Sequence, residues 1–238
     1  MQKPYIEKLY AGKVKKLGLP NAVNPMEREW ETGMFKERMI EEIWLAKTGL
    51  IGDEVADTKN HGGVEKALFA YPIKHYDDWR KELKLEGIEV GAMGENLAVS
   101  QMEESFVCIG DTYQFGDAVI QVSQPRQPCW KPARRFRLID FAMQIQQSGR
   151  TGWYFRVLKE AFVHDQQELV LLDRPYPQWT ISKCNEVMHI RKENVRLAEE
   201  LASCELLALN WKQTLQKRAN GEISPVDKRV FGPNKISF

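Results

Sequence analysis

A mainly β fold, a barrel or a sandwich carrying a few helices and followed by a small all-α appendage, is what the sequence predicts. Three observations lead there. Up to about residue 178 the apolar stretches are short and separated by glycine, proline and asparagine turns, without the alternating strand and helix units of a parallel sheet. Beyond it the pattern turns to helical periodicity, seen in Val195, Ala198 and Ala202 and again in Leu207, Trp211 and Leu215. Between the two stands Arg174-Pro175-Tyr176-Pro177, whose prolines suit neither pattern and mark a joint. The chain has 238 residues, 43% hydrophobic and 28% charged, enough for a sizeable core. Its net charge of +1 gives no bulk attraction to a nucleic acid polymer or an anionic membrane, so any anion site has to be local. No stretch approaches the length of a membrane span, and Met1 to Tyr10 carries Lys3, Glu7 and Lys8 where a signal peptide would be apolar, so a cytoplasmic location is expected. Cysteines at 108, 129, 184 and 204 form no CxxC pair, which argues for reduced thiols over a disulfide framework or a zinc ribbon.

Taken in order, Tyr5 to Val14 reads as a strand, and the loop signals Gly18, Pro20 and Pro25 follow it. Arg38 to Ala46 is a second strand region, ending in turns at Gly49 and Gly52. Asn60-His61-Gly62-Gly63 has adjacent glycines, which permit positive φ and close approach of backbone to a phosphate; a plain turn with a surface histidine needs the same residues. Leu68 to Tyr71 predicts a short buried strand, and Pro72 sits where a helix over about 72–84 can begin, with His75, Trp79 and Leu83 on one face. No second histidine or carboxylate pair stands at metal-binding spacing from His75, so a packed role is expected for it. The loop from Gly91 to Leu97 lacks the spacing of a dinucleotide fingerprint. Phe106 to Val122 is the clearest β signal, and Leu138 to Gln147 predicts a short helix closed by the loop Ser148 to Gly152. Trp153 to Val157 and Glu168 to Leu172 read as two strands expected to pair as a hairpin. Three short helices then fit residues 182–218, with Gly221 as the stop and an irregular, proline-bearing tail behind it. Too small to be an independent domain, they are expected to dock on the barrel.

Chemistry concentrates on Gln124-Pro125-Arg126-Gln127-Pro128-Cys129-Trp130-Lys131-Pro132. Its three prolines remove backbone donors and fix φ, so the segment is a stiff loop and not a helix interior or a central strand. Arg126 and Lys131 flank Cys129 and favour its thiolate, the form that attacks electrophiles or ligates a soft metal. A buried structural cysteine on a tight turn would look the same at this level. The run Arg134-Arg135-Phe136-Arg137 adds positive charge, ordinarily that of a solvated face.

Five motifs in this order resemble the MOSC family, named for the carboxy-terminal domain of molybdenum cofactor sulfurase, and within it the YiiM-type bacterial proteins with a three-helix tail. They are His61-Gly62-Gly63 with Lys66-Ala67-Leu68, Gly94-Glu95-Asn96-Leu97, Ile109-Gly110-Asp111, Pro125-Arg126-Gln127-Pro128-Cys129 and Ser148-Gly149-Arg150-Thr151-Gly152-Trp153. The resemblance covers nearly the whole chain. It implies a MOSC-type β-barrel over 1–178, a three-helix subdomain over 179–220 and an irregular tail over 221–238. It further implies binding of the molybdenum cofactor, molybdopterin, with Cys129 as the metal ligand and catalytic centre. Suppliers of N–H donors and positive charge for the pterin phosphate would be Gly62, Gly63, Lys66, Arg126, Lys131, Arg150 and Arg156, with His61 in the same set and Asn96 on the pterin edge.

The activity this implies is reduction of small N-hydroxylated compounds, such as N-hydroxylated purine bases, to amines, a detoxifying reaction. Cys129 would remain a spectator ligand that tunes the metal. No iron–sulfur cysteine set or flavin fingerprint occurs, so a separate redox protein is expected as electron donor. The alternative is a non-catalytic carrier, in which Cys129 holds a persulfide or the cofactor for delivery to another protein.

Overall fold

The structure is a computed structural model that describes residues 3–84, 88–222 and 225–235. Thirteen strands occur among them: β1 (Tyr5–Ala11), β2 (Lys15–Leu17), β3 (Trp30–Thr32), β4 (Glu37–Met39), β5 (Ile43–Ala46), β6 (Gly49–Leu50), β7 (Leu68–Pro72), β8 (Leu97–Ser100), β9 (Thr112–Phe115), β10 (Ala118–Pro125), β11 (Trp153–Lys159), β12 (Ala161–Val163) and β13 (Gln167–Asp173). Seven strands close a barrel in the order β13, β9, β10, β11, β7, β8, β1 and back to β13. Closure falls on Tyr5 and Ile6, which pair with Glu168 and Gln167, while the other end of β1 pairs with β4. Closing the sheet leaves the barrel strands no open edge to manage.

Only β7 and β8 run parallel within that barrel. A parallel pair needs a long crossover, supplied here by the stretch that includes α1 (Lys74–Leu83). Next come α2 (Lys131–Phe136), α3 (Phe141–Ser148), α4 (Ile181–Asn185) running into a π turn Glu186–Ile190, α5 (Val195–Ala202), α6 (Leu209–Ala219) and α7 (Asp227–Val230). No helix among the described residues is long and apolar enough to cross a membrane.

Two apolar clusters explain the layering. The larger fills the barrel with Ile6, Leu9, Leu97, Phe115, Ile120, Trp153 and Phe155 and continues without a break into Ile181, Cys184, Leu201, Trp211 and Leu215 of the helical appendage. The smaller packs Tyr76, Trp79, Phe141 and Ile145 from α1 and α3 against Phe69, Tyr71 and Tyr154 of β7 and β11. With cover on both faces, β7 is buried at all five positions, as its unbroken apolar sequence requires.

Several expectations need correction. The strands at 153–159 and 167–173 form no hairpin: β11 lies between β10 and β7, whereas β13 lies between β9 and β1. Barrel closure claims β13 for the amino-terminal strand, and the short β12 leaves to pair with β5. Pro72 ends β7 instead of opening a helix, and α1 starts at Lys74. The strand region at 38–46 is two strands with different partners. The segment after Cys129 turns directly into α2, with Pro132 in its first turn where a missing N–H costs nothing. Nor is the basic run on α2 a solvated face. Arg134 is 5% exposed and donates to the Arg28 carbonyl at 2.6 Å, to that of Pro25 at 2.5 Å and to Asn234 at 2.9 Å, while Arg135 donates to the Met34 carbonyl.

Candidate functional site

Strand β10 ends in register with β11, Pro125 opposite Trp153, and the Arg126 N–H still donates to the Gly152 carbonyl at 3.1 Å. Gly152 has φ +67°, and a Cβ there would lie 2.3 Å from the Ala70 carbonyl oxygen, so the close approach admits only glycine. Residues 127–130 then cross to α2 under clamps from the far end of the chain. Trp130 N–H donates to the Arg229 carbonyl at 2.9 Å, the Arg229 guanidinium donates to the Pro128 carbonyl, and Asn234 Nδ2 donates to the Trp130 carbonyl at 3.1 Å. Among the residues sequence reasoning overlooked, Arg229 matters most: it sits in the segment read as an irregular tail, and nothing local to position 229 marks it.

Cys129 is half-buried in the wall of a cleft of about 270 Å³ that also takes in His61, Gly62, Gly63, Lys66, Asn96, Arg126 and Lys131. The tertiary structure thus gathers eight of the ten site residues expected from the sequence. Burial pushes the Cys129 thiol up, but a hydrogen bond and charge from His61, the charge of Arg126 and a backbone N–H at Lys131 outweigh it and bring the pKa down to about 6. The other three move the opposite way, Cys108 to about 11 and Cys184 and Cys204 upward, each chiefly through burial. Only Cys129 is a thiolate at neutral pH.

Arg126 is 4% exposed, lies 4.9 Å from the Phe69 ring centre, and keeps a buried Nη1 without a partner among the described residues. A buried guanidinium N–H with no acceptor facing a cleft is a place for an anionic or polar ligand. Gly62 and Gly63 have φ of +76° and +78°, and a side chain on Gly62 would meet Val55 at 2.9 Å. Lys66 donates to the Asn60 carbonyl at 2.6 Å; burial lowers its pKa, against the pull of Asp57.

Asn96 lines the cleft with its N–H groups already spent, one bond going to the Tyr10 carbonyl at 3.2 Å and one to Asp53 at 2.8 Å, while its oxygen accepts from Phe69 N–H. It therefore acts by holding Asp53, which also pairs with Lys36 in the same wall. Lys36 and Asp53 are further residues that sequence reasoning missed. Arg150 and Arg156 stand apart from the cleft. Arg150 forms a two-point bond to Glu82 at 2.9 and 2.5 Å and covers Trp79. Arg156 is spent on Glu65, Gln121 and the Leu206 carbonyl, bracing the Gly62-Gly63 loop from behind. His75 pairs with Glu104 at 2.8 Å, the packed role expected for it.

Next to this cleft lies a second one of about 720 Å³, lined by Gln127, Trp130, Lys228 and Arg229 and sharing His61, Lys66, Cys129, Lys131 and Tyr154 with the first. Cys129 thus stands in a wall common to two spaces. No group of three His, Cys, Asp or Glu side chains gathers among the described residues to hold a metal ion unaided. What the arrangement offers is a single soft ligand beside donors for an anion.

Comparison with known proteins identifies the family and the fold. Residues 57–170 match the profile of the MOSC domain, and residues 179–220 match that of the YiiM-like, 3-alpha helix domain. The uncharacterized protein YflK of Bacillus subtilis (strain 168) is 36% identical over 211 residues, covering 89% of this chain and 95% of that protein. A protein named "Reductase" from Gibberella moniliformis is 36% identical over 202 residues, 84% of this chain but 34% of that longer protein. The crystal structure of YiiM from Geobacillus stearothermophilus superposes with a TM-score of 0.75 at 31% identity, over 91% of this chain and 99% of that one. By barrel, helical appendage and sequence, the chain belongs to the MOSC family, in its YiiM-like branch.

Proposed function

We propose that this protein holds the molybdenum cofactor through Cys129 and reduces N-hydroxylated compounds, N-hydroxylated purine bases among them, to amines. The observation that carries the reading is the pairing of the Cys129 thiolate with the unpartnered Nη1 of Arg126 in one cleft. MOSC domains are associated with the molybdenum cofactor as a family, and a relative bears the name reductase. The residues present fit the group: a soft thiolate for the metal, and Arg126, Lys66, Lys131 and the Gly62-Gly63 backbone for the phosphate. When bound, the cofactor supplies two-electron oxygen-atom chemistry that no side chain can perform.

The chain's own part is to bind and to orient. His61 and Arg126 keep Cys129 deprotonated and ready to ligate. Asn96 fixes Asp53, and with it Lys36, in the cleft wall. The reaction consumes two electrons and two protons per hydroxylamine and releases the amine and water; a separate redox protein supplies the electrons.

The test is metal analysis with turnover. Protein made in cells that synthesise the cofactor should contain stoichiometric molybdenum, lost in Cys129→Ala, and with reduced viologen as donor should convert a hydroxylaminopurine to the amine. Metal-loaded protein that leaves hydroxylamines unchanged ends the proposal. A metal-free protein with cyanide-labile sulfur on Cys129 would identify the carrier instead.

A further inference from the structure

Beyond the second cleft lies a third cavity, of about 260 Å³, between α6, the π turn Glu186–Ile190 and the carboxy-terminal segment. Lys192, Arg218, Arg229 and His189 line it, against one carboxylate, the exposed Glu222. His189 is 7% exposed, its ring is set edge-on to Trp211 at 6.4 Å, and its Nε2 is buried without a partner among the described residues. Burial, then the charges of Arg229, Lys192 and Arg218, lower its pKa to about 3, so the ring is neutral. In the tautomer that carries its proton on Nε2 it has one N–H without an acceptor among the described residues.

The cations are not used up by the fold. Arg218 bonds the Val187 and Met188 carbonyls at 2.8 Å each, and Arg229 bonds the Pro128 carbonyl and Gln146. A guanidinium has five N–H donors, so both retain some. Lys192 makes no hydrogen bond or ion pair among the described residues. Several cations around a neutral donor suit a phosphate group, whose oxygens accept from all of them. The cavity adjoins the second cleft, whose wall includes Cys129: Gln127, Pro225 and Arg229 line both.

We infer that this cavity is a phosphate subsite, and that the substrate is a nucleotide, its base toward Cys129 and its phosphate among Lys192, Arg218 and His189. The nucleotide assignment rests on the reductase reading above; phosphate binding does not.

Two measurements test it separately. Adenosine 5′-monophosphate titrated into the purified chain should bind by calorimetry, and Lys192→Ala should weaken it about tenfold, the worth of one charge-assisted hydrogen bond, with Lys192→Arg restoring it. Lys192 carries no internal bond, so the variant folds. In the loaded enzyme the 5′-monophosphate of an N-hydroxylated purine nucleoside should show a KM about tenfold below that of the free base, and Lys192→Ala should erase the difference without changing turnover of the free base. No binding of the monophosphate, or binding indifferent to Lys192, overturns the subsite. Free base reduced as well as nucleotide, or inorganic phosphate bound as tightly as the monophosphate, overturns the nucleotide assignment. Binding that depends on Lys192 in a protein reducing no hydroxylamine upholds the phosphate subsite and removes the reductase reading together with the nucleotide assignment that rests on it.

Discussion

At position 129 a cysteine lies between two cations in a proline-stiffened loop, and the same residue type at 108, 184 and 204 is an inert part of the core. The difference is in the neighbours, and it is measurable. Because the Cys129 pKa is drawn down to about 6, its thiolate fraction rises through that pH and is nearly complete at neutrality. Alkylation should follow: labelling at pH 7 falls on Cys129 alone, with a rate that is half-maximal near about pH 6 and flat above neutrality, read by peptide mass spectrometry. His61→Gln removes the hydrogen bond and charge that most strongly oppose burial and should move the midpoint upward. Equal labelling of Cys204, or an unshifted midpoint, would sink this account. That Cys129 is flanked by charge was legible because the flanking residues are its sequence neighbours. That Arg150 and Arg156 are committed to Glu82 and Glu65 was not, because those partners, on α1 and on the turn Val64–Lys66, lie 68 and 91 residues away.

The carboxy-terminal segment shows the same limit among elements. Residues 225–235 have the composition of a tail, yet they clamp the cysteine loop from both sides through Arg229 and Asn234. Asn234 is 2% exposed and is the acceptor for Arg134 Nε as well as a donor to Trp130. Asn234→Ala leaves a buried guanidinium N–H unsatisfied, at a cost of about 1–3 kcal/mol. Its Tm should fall by about 2–4 °C for each kcal/mol in a chain of this size, and amide exchange should speed up at 126–134. A variant with wild-type exchange in that loop would show that the segment merely rests there. The missed hairpin has a related cause: strand propensity at 153–159 and 167–173 identifies strands, but pairing depends on which edge remains open when the barrel closes.

Across the whole molecule, barrel and helical appendage share one core, so they should unfold as one. Trp211 on α6 is fully buried in the cluster that also holds Phe155 and Ile120 of the barrel. Trp211→Ala should cost about 3–5 kcal/mol, and tryptophan fluorescence and far-UV circular dichroism should still report coincident transitions in wild type and variant. A separate early transition for the helices would show two units that only touch.

The sequence by itself determined the β class, the helical appendage, the glycine loop at 62–63 and the charged, proline-stiffened setting of Cys129, because each depends on local periodicity, turn chemistry or adjacent charge; its thiolate character also needed His61, brought in by the fold. The tertiary structure alone decided which cations reach the cleft, that Asn96 works through Asp53, and that the chain's last described segment reaches back to the cysteine. Those outcomes depend on which distant backbone and side-chain groups already satisfy one another, and hydrogen-bond satisfaction is a property of the closed barrel that no window of residues contains.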